Sequence, residues 1–315
     1  MSPSKSPRAS RPRPAQTRSS ETLTFGDVSV ALSNPTRMVF PDPGITKREV
    51  VEYYRDIADV MVPELRGRPL SMERFTKSIT AGGFFQKHWQ KHYPDWIDHI
   101  VIEGKTTVDY PICDSPAALV YFANQGGVAF HVTTSRKESL GHPDVIVFDL
   151  DPPEGGFELV RRSARILYEV LGELGLPTFV KTTGSKGLHV VTPLDATATF
   201  DEVHVLCGAL AKQLVARHPD LLTTEFYKKD RKGRLYFDTG RNIGGATFVA
   251  PYSLRGRAGA PVSAPIEWSE LDDKALRADG FRLRDMRARL ASRGDPWRDL
   301  RRNPGSVRRA LQRLR

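Results

Sequence analysis

The sequence predicts a mixed α/β (α+β) fold with mixed and antiparallel sheets flanked by helices, and three observations carry that expectation. β-branched apolar runs recur, the longest being 144–151 (DVIVFDLD). Two more, 178–182 and 188–192, are separated only by the tight turn at 184–187, the spacing of a hairpin. Amphipathic stretches fall between the strands without the regular alternation that a parallel βαβ sheet requires.

In chain order, residues 1–21 are rich in Ser, Pro and Arg and read as a disordered basic tail. A single domain is expected over 22–290, followed by a basic C-terminal extension over 291–315. A strand near 29–32 precedes a well-marked helix start. Thr46 and Glu49 have the spacing of a capping box, with Ile45 and Val50 placed for a hydrophobic staple. The helix then carries Val50, Val51, Tyr54, Ile57, Ala58, Met61 and Val62 on one face, with Pro63 close to its end. The run 144–151 ends at Pro152 and reads as an interior strand. Residues 157–174 form an amphipathic helix stopped by Gly175, 201–218 a second helix, and 234–238 another strand. Residues 269–291 read as a helix, and the arginine-rich end as a surface helix. No internal repeat is present.

Composition narrows the class. With 39% hydrophobic and 27% charged residues in 315, the chain is an ordinary globular sequence. No apolar run approaches a membrane span and the start lacks a signal-peptide core, so a cytoplasmic, nucleoid-associated location without a membrane is expected. Cys113 and Cys207 are too few for a structural zinc site and read as buried, reduced thiols. The net charge of +10 is unevenly spread. Lys5, Arg8, Arg11, Arg13 and Arg18 stand at the start with no acid, and 281–315 holds twelve arginines against Asp285, Asp295 and Asp299. These ends exceed the whole chain's charge, so the body between them is acidic. The tails favour polyanions without sequence specificity, or merely aid solubility.

Asp149 and Asp151 sit at i and i+2 on one strand, which points both carboxylates to one face, about 6–7 Å apart along the backbone. Leu150 points the other way. Like charges so close need neutralising, and all-carboxylate ligation suits Mg²⁺ or Mn²⁺. Asp238 ends the strand RLYFD and supplies the third carboxylate of a two-metal arrangement, or else starts the turn before Gly240. Between two strands, Gly184-Ser185-Lys186-Gly187 can form an anion-binding nest, with a hydroxyl and a cation suited to a triphosphate and His189 at the start of the next strand. It is not a Walker loop, because that spacing is absent and no helix follows. Phe84 and Phe85 follow a glycine pair; in an extended segment one of them faces solvent, where bases could stack.

Together, Asp-Leu-Asp-Pro, Gly-Ser-Lys-Gly-Leu-His, the strand-terminal Asp238 with Arg241-Asn242 three residues on, and Ala250-Pro-Tyr-Ser-Leu-Arg-Gly-Arg257 resemble the polymerase domain of bacterial ATP-dependent DNA ligase D, a primase-polymerase of the archaeo-eukaryotic primase superfamily. The resemblance runs from about Thr22 to Asp273. It implies that Asp149, Asp151 and Asp238 hold the catalytic metals, and that Ser185, Lys186, His189 and Arg255 contact the incoming triphosphate. His131 matches a histidine near the nucleotide, while Phe84 and Phe85 match a pair stacking on the templating base and nucleotide. Arg37 and Lys47 match residues that hold a 5′-phosphate across a gap. Lys47 also stands at the first position of the capped helix, where free N–H groups and the dipole favour an anion. Glu73 departs from the pattern, which often has Lys there, and no Lys-x-Asp-Gly ligase nucleophile is present.

The function expected is a template-directed nucleotidyltransferase, a monomer that fills short gaps or broken ends of DNA with NTPs or dNTPs during repair. The resemblance implies a preference for ribonucleotides and manganese, and a separate ligase and end-binding protein as partners. The rival readings are a non-catalytic end-binding protein that bridges breaks for a ligase, and a haloacid-dehalogenase-like phosphatase built on the Asp149–Asp151 strand.

Overall fold

The computed structural model describes residues 21–104, 106–153 and 156–314, so the basic tail at 1–20 lies outside the described residues. Strands β1 (Thr22–Phe25) and β2 (Val28–Ala31) form a hairpin, as do β3 (Met38–Phe40) and β4 (Ile45–Thr46). The capping box forms: Thr46 caps α1 (Lys47–Asp56) and the Glu49 side chain returns to the Thr46 amide. The expected single helix breaks at Ile57, and Pro63 lies inside its second part, α2 (Ala58–Leu65). Both parts keep the apolar face against the core, with Val51, Tyr54 and Met61 fully buried.

Strands β5 (Leu70–Arg74), β6 (Phe84–Gln86) and β9 (Gly127–Thr133) build most of the first sheet. Between β6 and β9 come the hairpin of β7 (His99–Ile102) and β8 (Val108–Pro111) and then α3 (Pro116–Asn124). The second sheet starts with β10 (Val145–Leu150). It is followed by α4 (Phe157–Glu173), β11 (Phe179–Thr182), β12 (Leu188–Pro193) and α5 (Phe200–Arg217). The parallel pair β13 (Leu222–Thr223) and β14 (Leu235–Tyr236) leads to β15 (Thr247–Val249) and β16 (Pro265–Ile266). The two four-stranded sheets, ordered β15-β9-β5-β6 and β10-β12-β11-β16, are antiparallel throughout.

Each sheet has its own apolar cluster, and β10 belongs to both. Ile146, Phe148 and Leu150 enter the cluster of α4 and α5, while Val145 and Val147 enter that of α1 and α3. The period-two alternation therefore turns Asp149 to the side of Val147. β10 is not an interior strand of the ladder as expected; it stands at the sheet's end. Its open edge is closed instead by the Asn242 side chain, which bonds the Val147 amide at 2.8 Å and carbonyl at 2.9 Å.

One expectation about the C-terminal part needs correction. Residues 269–291 are not one helix: a short 3₁₀ turn at Trp268–Asp272 gives way to loops around Gly280, and only α6 (Met286–Arg293) is α-helical. The arginine-rich end does carry the expected helix, over Val307–Arg313, and it is tied into the fold. Trp297 and Leu300 pack into the first cluster, and Val307 and Ala310 of α7 (Val307–Arg313) into the second. Its arginines pair with acids of the body: Arg284 with Glu49, Arg289 with Glu270, Arg301 with Glu64 and Asp144, and Arg308 with Glu202. Much of that positive charge is therefore internal to the fold. Cys113 and Cys207 are free, buried thiols, and burial pushes Cys207 up to about 12.

Candidate active site

A polar cleft of about 200 Å³ opens between the two sheets, lined among others by His131, Asp149, Asp151, Ser185, His189 and Arg255. Its floor is a row across paired strands. Asp149 stands opposite His189, which stands opposite Lys181, and an isolated bridge brings Asp238 against Asp149 from the other side. Cross-strand partners share a face, so residues as far as 89 positions apart meet in one line.

Asp149 is buried at 7% exposure. One carboxylate oxygen lies 3.3 Å from His189 Nε2 and the other 3.0 Å from an Arg241 guanidinium nitrogen. Despite burial, these partners hold its carboxyl well below the usual range. Arg241 carried no role in the sequence reading, although its Arg-Asn motif was noted; its partner lies 92 residues away. Asp151 is exposed at the cleft rim, and its carboxyl is raised by partial enclosure and then by the Asp149 charge. Asp238 accepts the Gly240 amide at 2.7 Å, the turn-starting contact weighed against a metal role.

The donor chemistry fits a hard divalent cation, since a cation would relieve the repulsion that raises Asp151. The ligands are not yet gathered. Among the described residues no three His, Cys, Asp or Glu side chains close on one point, because Arg241 and His189 occupy Asp149 and Gly240 engages Asp238.

Above this row the hairpin loop is closed by Thr183, whose hydroxyl accepts the Gly187 amide at 3.1 Å. A Cβ on Gly187 would lie 2.0 Å from the Leu150 carbonyl. One on Gly184, at φ +62°, would lie 2.8 Å from the Arg255 side chain. Both glycines are therefore needed to press the loop against β10 and Arg255. Ser185 is half-buried and Lys186 exposed, and Arg255 donates to the Thr183 carbonyl at 2.7 Å. Three polar atoms of the lining are buried without a partner: His131 Nε2, His189 Nδ1 and Arg255 Nε. Burial, then the Arg255 charge, drops His131 to about 3; burial, then Lys181, drops His189 to about 4. Both imidazoles are neutral at pH 7.

Both Phe84 and Phe85 face solvent, at 49% and 58%, where only one was expected to. Successive residues of β6 point to opposite faces. Phe85 stands 5.4 Å from the His131 ring at the cleft, and Phe84 lies under the Arg74 guanidinium at 5.7 Å. Burial raises the Glu73 carboxyl, and the nearby Arg255 and Arg257 charges offset only part of that rise.

The β3–β4 reversal brings Arg37 beside Lys47, as expected, but the helix start offers no free donors. The Lys47 amide donates to the Arg37 carbonyl at 2.8 Å, that of Arg48 to Pro35, and that of Glu49 to the Thr46 hydroxyl. The chain doubling back satisfies them. Lys47 is 3% exposed and its ammonium bonds the Ser33 carbonyl and hydroxyl, while Arg37 donates to the Phe75 and Lys77 carbonyls.

Comparison with known proteins gives this geometry a family. The model of the LigD primase-polymerase domain matches residues 46–297. The multifunctional non-homologous end joining protein LigD of Mycobacterium bovis is 35% identical over 276 residues, covering 84% of this chain and 36% of that protein. LigD of Pseudomonas aeruginosa is 33% identical, covering 91% and 34%, so the chain spans about a third of these relatives' length. The polymerase domain of Mycobacterium tuberculosis ligase D, solved in complex with DNA, superposes with a TM-score of 0.82 at 34% identity, covering 88% of this chain and 99% of that one. The α+β architecture is shared with that domain, and the phosphatase reading of the Asp149 strand is set aside. Matched by that family model over most of its length and 35% identical to a relative covering 84% of it, the chain belongs to the LigD primase-polymerase domain family.

Proposed function

We propose that the chain is a template-directed nucleotidyltransferase that extends a DNA 3′ end across short gaps or breaks bearing a 5′-phosphate, during end joining or gap repair, with ribonucleotides preferred. The observation that carries this is the set of partnerless polar atoms of His131, His189 and Arg255 around the cleft that holds Asp149. Buried donors and acceptors left unpaired are costly, and a nucleotide would satisfy them. In this reading Ser185, Lys186, His189 and Arg255 receive the triphosphate, His131 sits near the sugar, and Phe85 stacks on the base, with Phe84 toward the template. Asp149, Asp151 and Asp238 would hold two Mn²⁺ or Mg²⁺ ions, which when bound make the primer 3′-hydroxyl acidic and neutralise the departing pyrophosphate. For Asp149 to hold such an ion, Arg241 would have to release it. A separate ligase and an end-binding protein complete the repair.

One observation favours binding without catalysis: Arg241 already neutralises Asp149. A 5′-phosphorylated one-nucleotide gap incubated with Mn²⁺ and each ribo- and deoxyribonucleotide separates the two. Templated incorporation is expected; DNA binding without incorporation would leave the end-bridging reading.

A further inference from the structure

The basic end of the chain reaches the cleft through two of its residues, Asp295 and Trp297. Trp297 is buried and donates its indole N–H to the Val180 carbonyl at 3.1 Å, on β11 shortly before the glycine loop. Asp295 accepts the Trp297 amide at 2.8 Å and, with the same carboxylate oxygen, the hydroxyl of Tyr252.

Tyr252 holds a rare backbone state. Its φ of +64° lies in the left-handed region, which a bulky side chain seldom adopts. Such a residue persists only where its surroundings fix it from several sides. Here all three of its hydrogen-bonding groups are engaged. The amide donates to the Ser263 carbonyl at 2.7 Å, the carbonyl accepts the Tyr53 hydroxyl at 2.6 Å, and the phenol donates to Asp295. Tyr252 is 1% exposed, and burial, then the Asp295 charge, pushes its phenol far above the ordinary range.

What this turn supports is the arm that carries Arg255. From Tyr252 the chain runs out and returns to Ser263 as a narrow loop. Leu254 is bridged to Val262, and the Arg255 amide donates to the Pro261 carbonyl at 2.9 Å. The loop lies against Gly184, where a Cβ would stand 2.9 Å from the Val262 carbonyl. The Ser263 hydroxyl donates to the Thr182 carbonyl at 3.1 Å and accepts the buried Lys181 ammonium. A Tyr252 that left the left-handed region would redirect the chain three residues before Arg255, whose guanidinium now donates to the Thr183 carbonyl. Asp295 and Trp297 thus tie both arms of the cleft, the Arg255 loop and the glycine hairpin, to one short stretch of the C-terminal segment.

We infer that Asp295 is a positioning residue for the nucleotide: by holding Tyr252 in its left-handed turn, it aims Arg255 at the triphosphate. The C-terminal segment is then part of the nucleotide site and not only a brace for the fold. This rests on the polymerase reading and deepens it by naming what sets the Arg255 arm.

Hydrogen exchange of the full chain, without nucleotide, reads the clamp itself. Tyr252→Phe keeps the ring and removes the hydroxyl. It is expected to speed exchange at 182–187 and 253–263 while the helices keep their rates. Titration with ATP and Mn²⁺ reads the consequence. Tyr252→Phe should weaken ATP binding by about two- to thirtyfold and leave affinity for a blunt DNA duplex unchanged. Asp295→Asn, which keeps an accepting oxygen for both donors, should lose less than Asp295→Ala. Unchanged exchange overturns the proposal, as does equal loss in Asp295→Asn and Asp295→Ala. A lower melting temperature with ATP affinity unaltered also overturns it, since that is what a brace would give. If the unmodified chain binds no ATP, the polymerase reading falls, and exchange still decides whether Asp295 sets the Arg255 arm.

Discussion

A proposed 5′-phosphate pocket at Arg37 and Lys47 makes a pH-dependent prediction, because one of its cations titrates near neutrality. Burial, then the neighbouring Arg37 charge, lowers the Lys47 ammonium from 10.5 to about 8. Recognition of the phosphate needs the protonated form. Protonation falls from about nine-tenths at pH 7 to about one-tenth at pH 9, so preference for a phosphorylated gap should fall nearly tenfold over that range. The phosphate itself is already dianionic above about pH 6 and adds little to the trend. The effect on stability has the opposite sign. A lysine depressed in the folded state binds fewer protons there than in the unfolded chain between pH 8 and 10.5, so stability rises across that window, by up to about 3 kcal/mol for a shift of this size. Binding to matched gaps with and without the 5′-phosphate, measured by anisotropy from pH 7 to 9.5, reads the preference directly. Arg37→Ala should move the inflection to higher pH, because it removes the repelling charge. Arg37→Ala/Lys47→Met should abolish the preference, a loss of well over tenfold if each charge-assisted contact is worth ~1.5–3 kcal/mol. A preference that does not change with pH, or equal weakening on both gaps, would show that these cations serve the Ser33 and Phe75 loops and not a phosphate.

Other perturbations follow from the cleft and the tail. Asp149→Ala or Asp151→Ala should abolish extension and leave DNA binding intact or stronger; full activity in either sinks the metal assignment. Arg241→Met strips the buried Asp149 of one ion partner and should cost ~1–2 kcal/mol, discounted because the arginine is 43% exposed. Melting should drop by about 2–4 °C per kcal/mol, and Mn²⁺ should stabilise the variant more than its parent; an unchanged Mn²⁺ effect argues against a shared place on Asp149. Gly184→Ala forces a Cβ to within 2.8 Å of Arg255 at a positive φ, so nucleotide KM should rise steeply, and a normal KM would mean the loop is not the triphosphate cradle. Deleting 1–20 removes five cations, so DNA binding should weaken and its salt dependence flatten, with turnover at saturating DNA unaltered.

What could be read ahead of the structure was local. The Thr46 capping box, the alternation of 145–150 and the glycine hairpin depend on neighbours within a few residues, and all three form. What escaped depends on partners far along the chain. Gly280 ends the 269–291 pattern because the segment packs in separate pieces, leaving Leu271 in one cluster and Leu283 in the other. The arginine-rich end looked like a polyanion-binding tail because its acids, such as Glu49, Glu64 and Glu202, lie more than one hundred residues away. The same blindness affected the helix start, where an N-terminus judged from sequence always seems to offer free amides. Whether it does depends on what the preceding chain does, and here Pro35 and Arg37 return to fill two of them. Charge count and helix position are therefore weak guides to where this protein holds phosphate. A better guide is a buried polar atom that keeps no partner, such as His131 Nε2. Such an atom is a cost to folding that the chain does not recover internally, and a ligand would offset it.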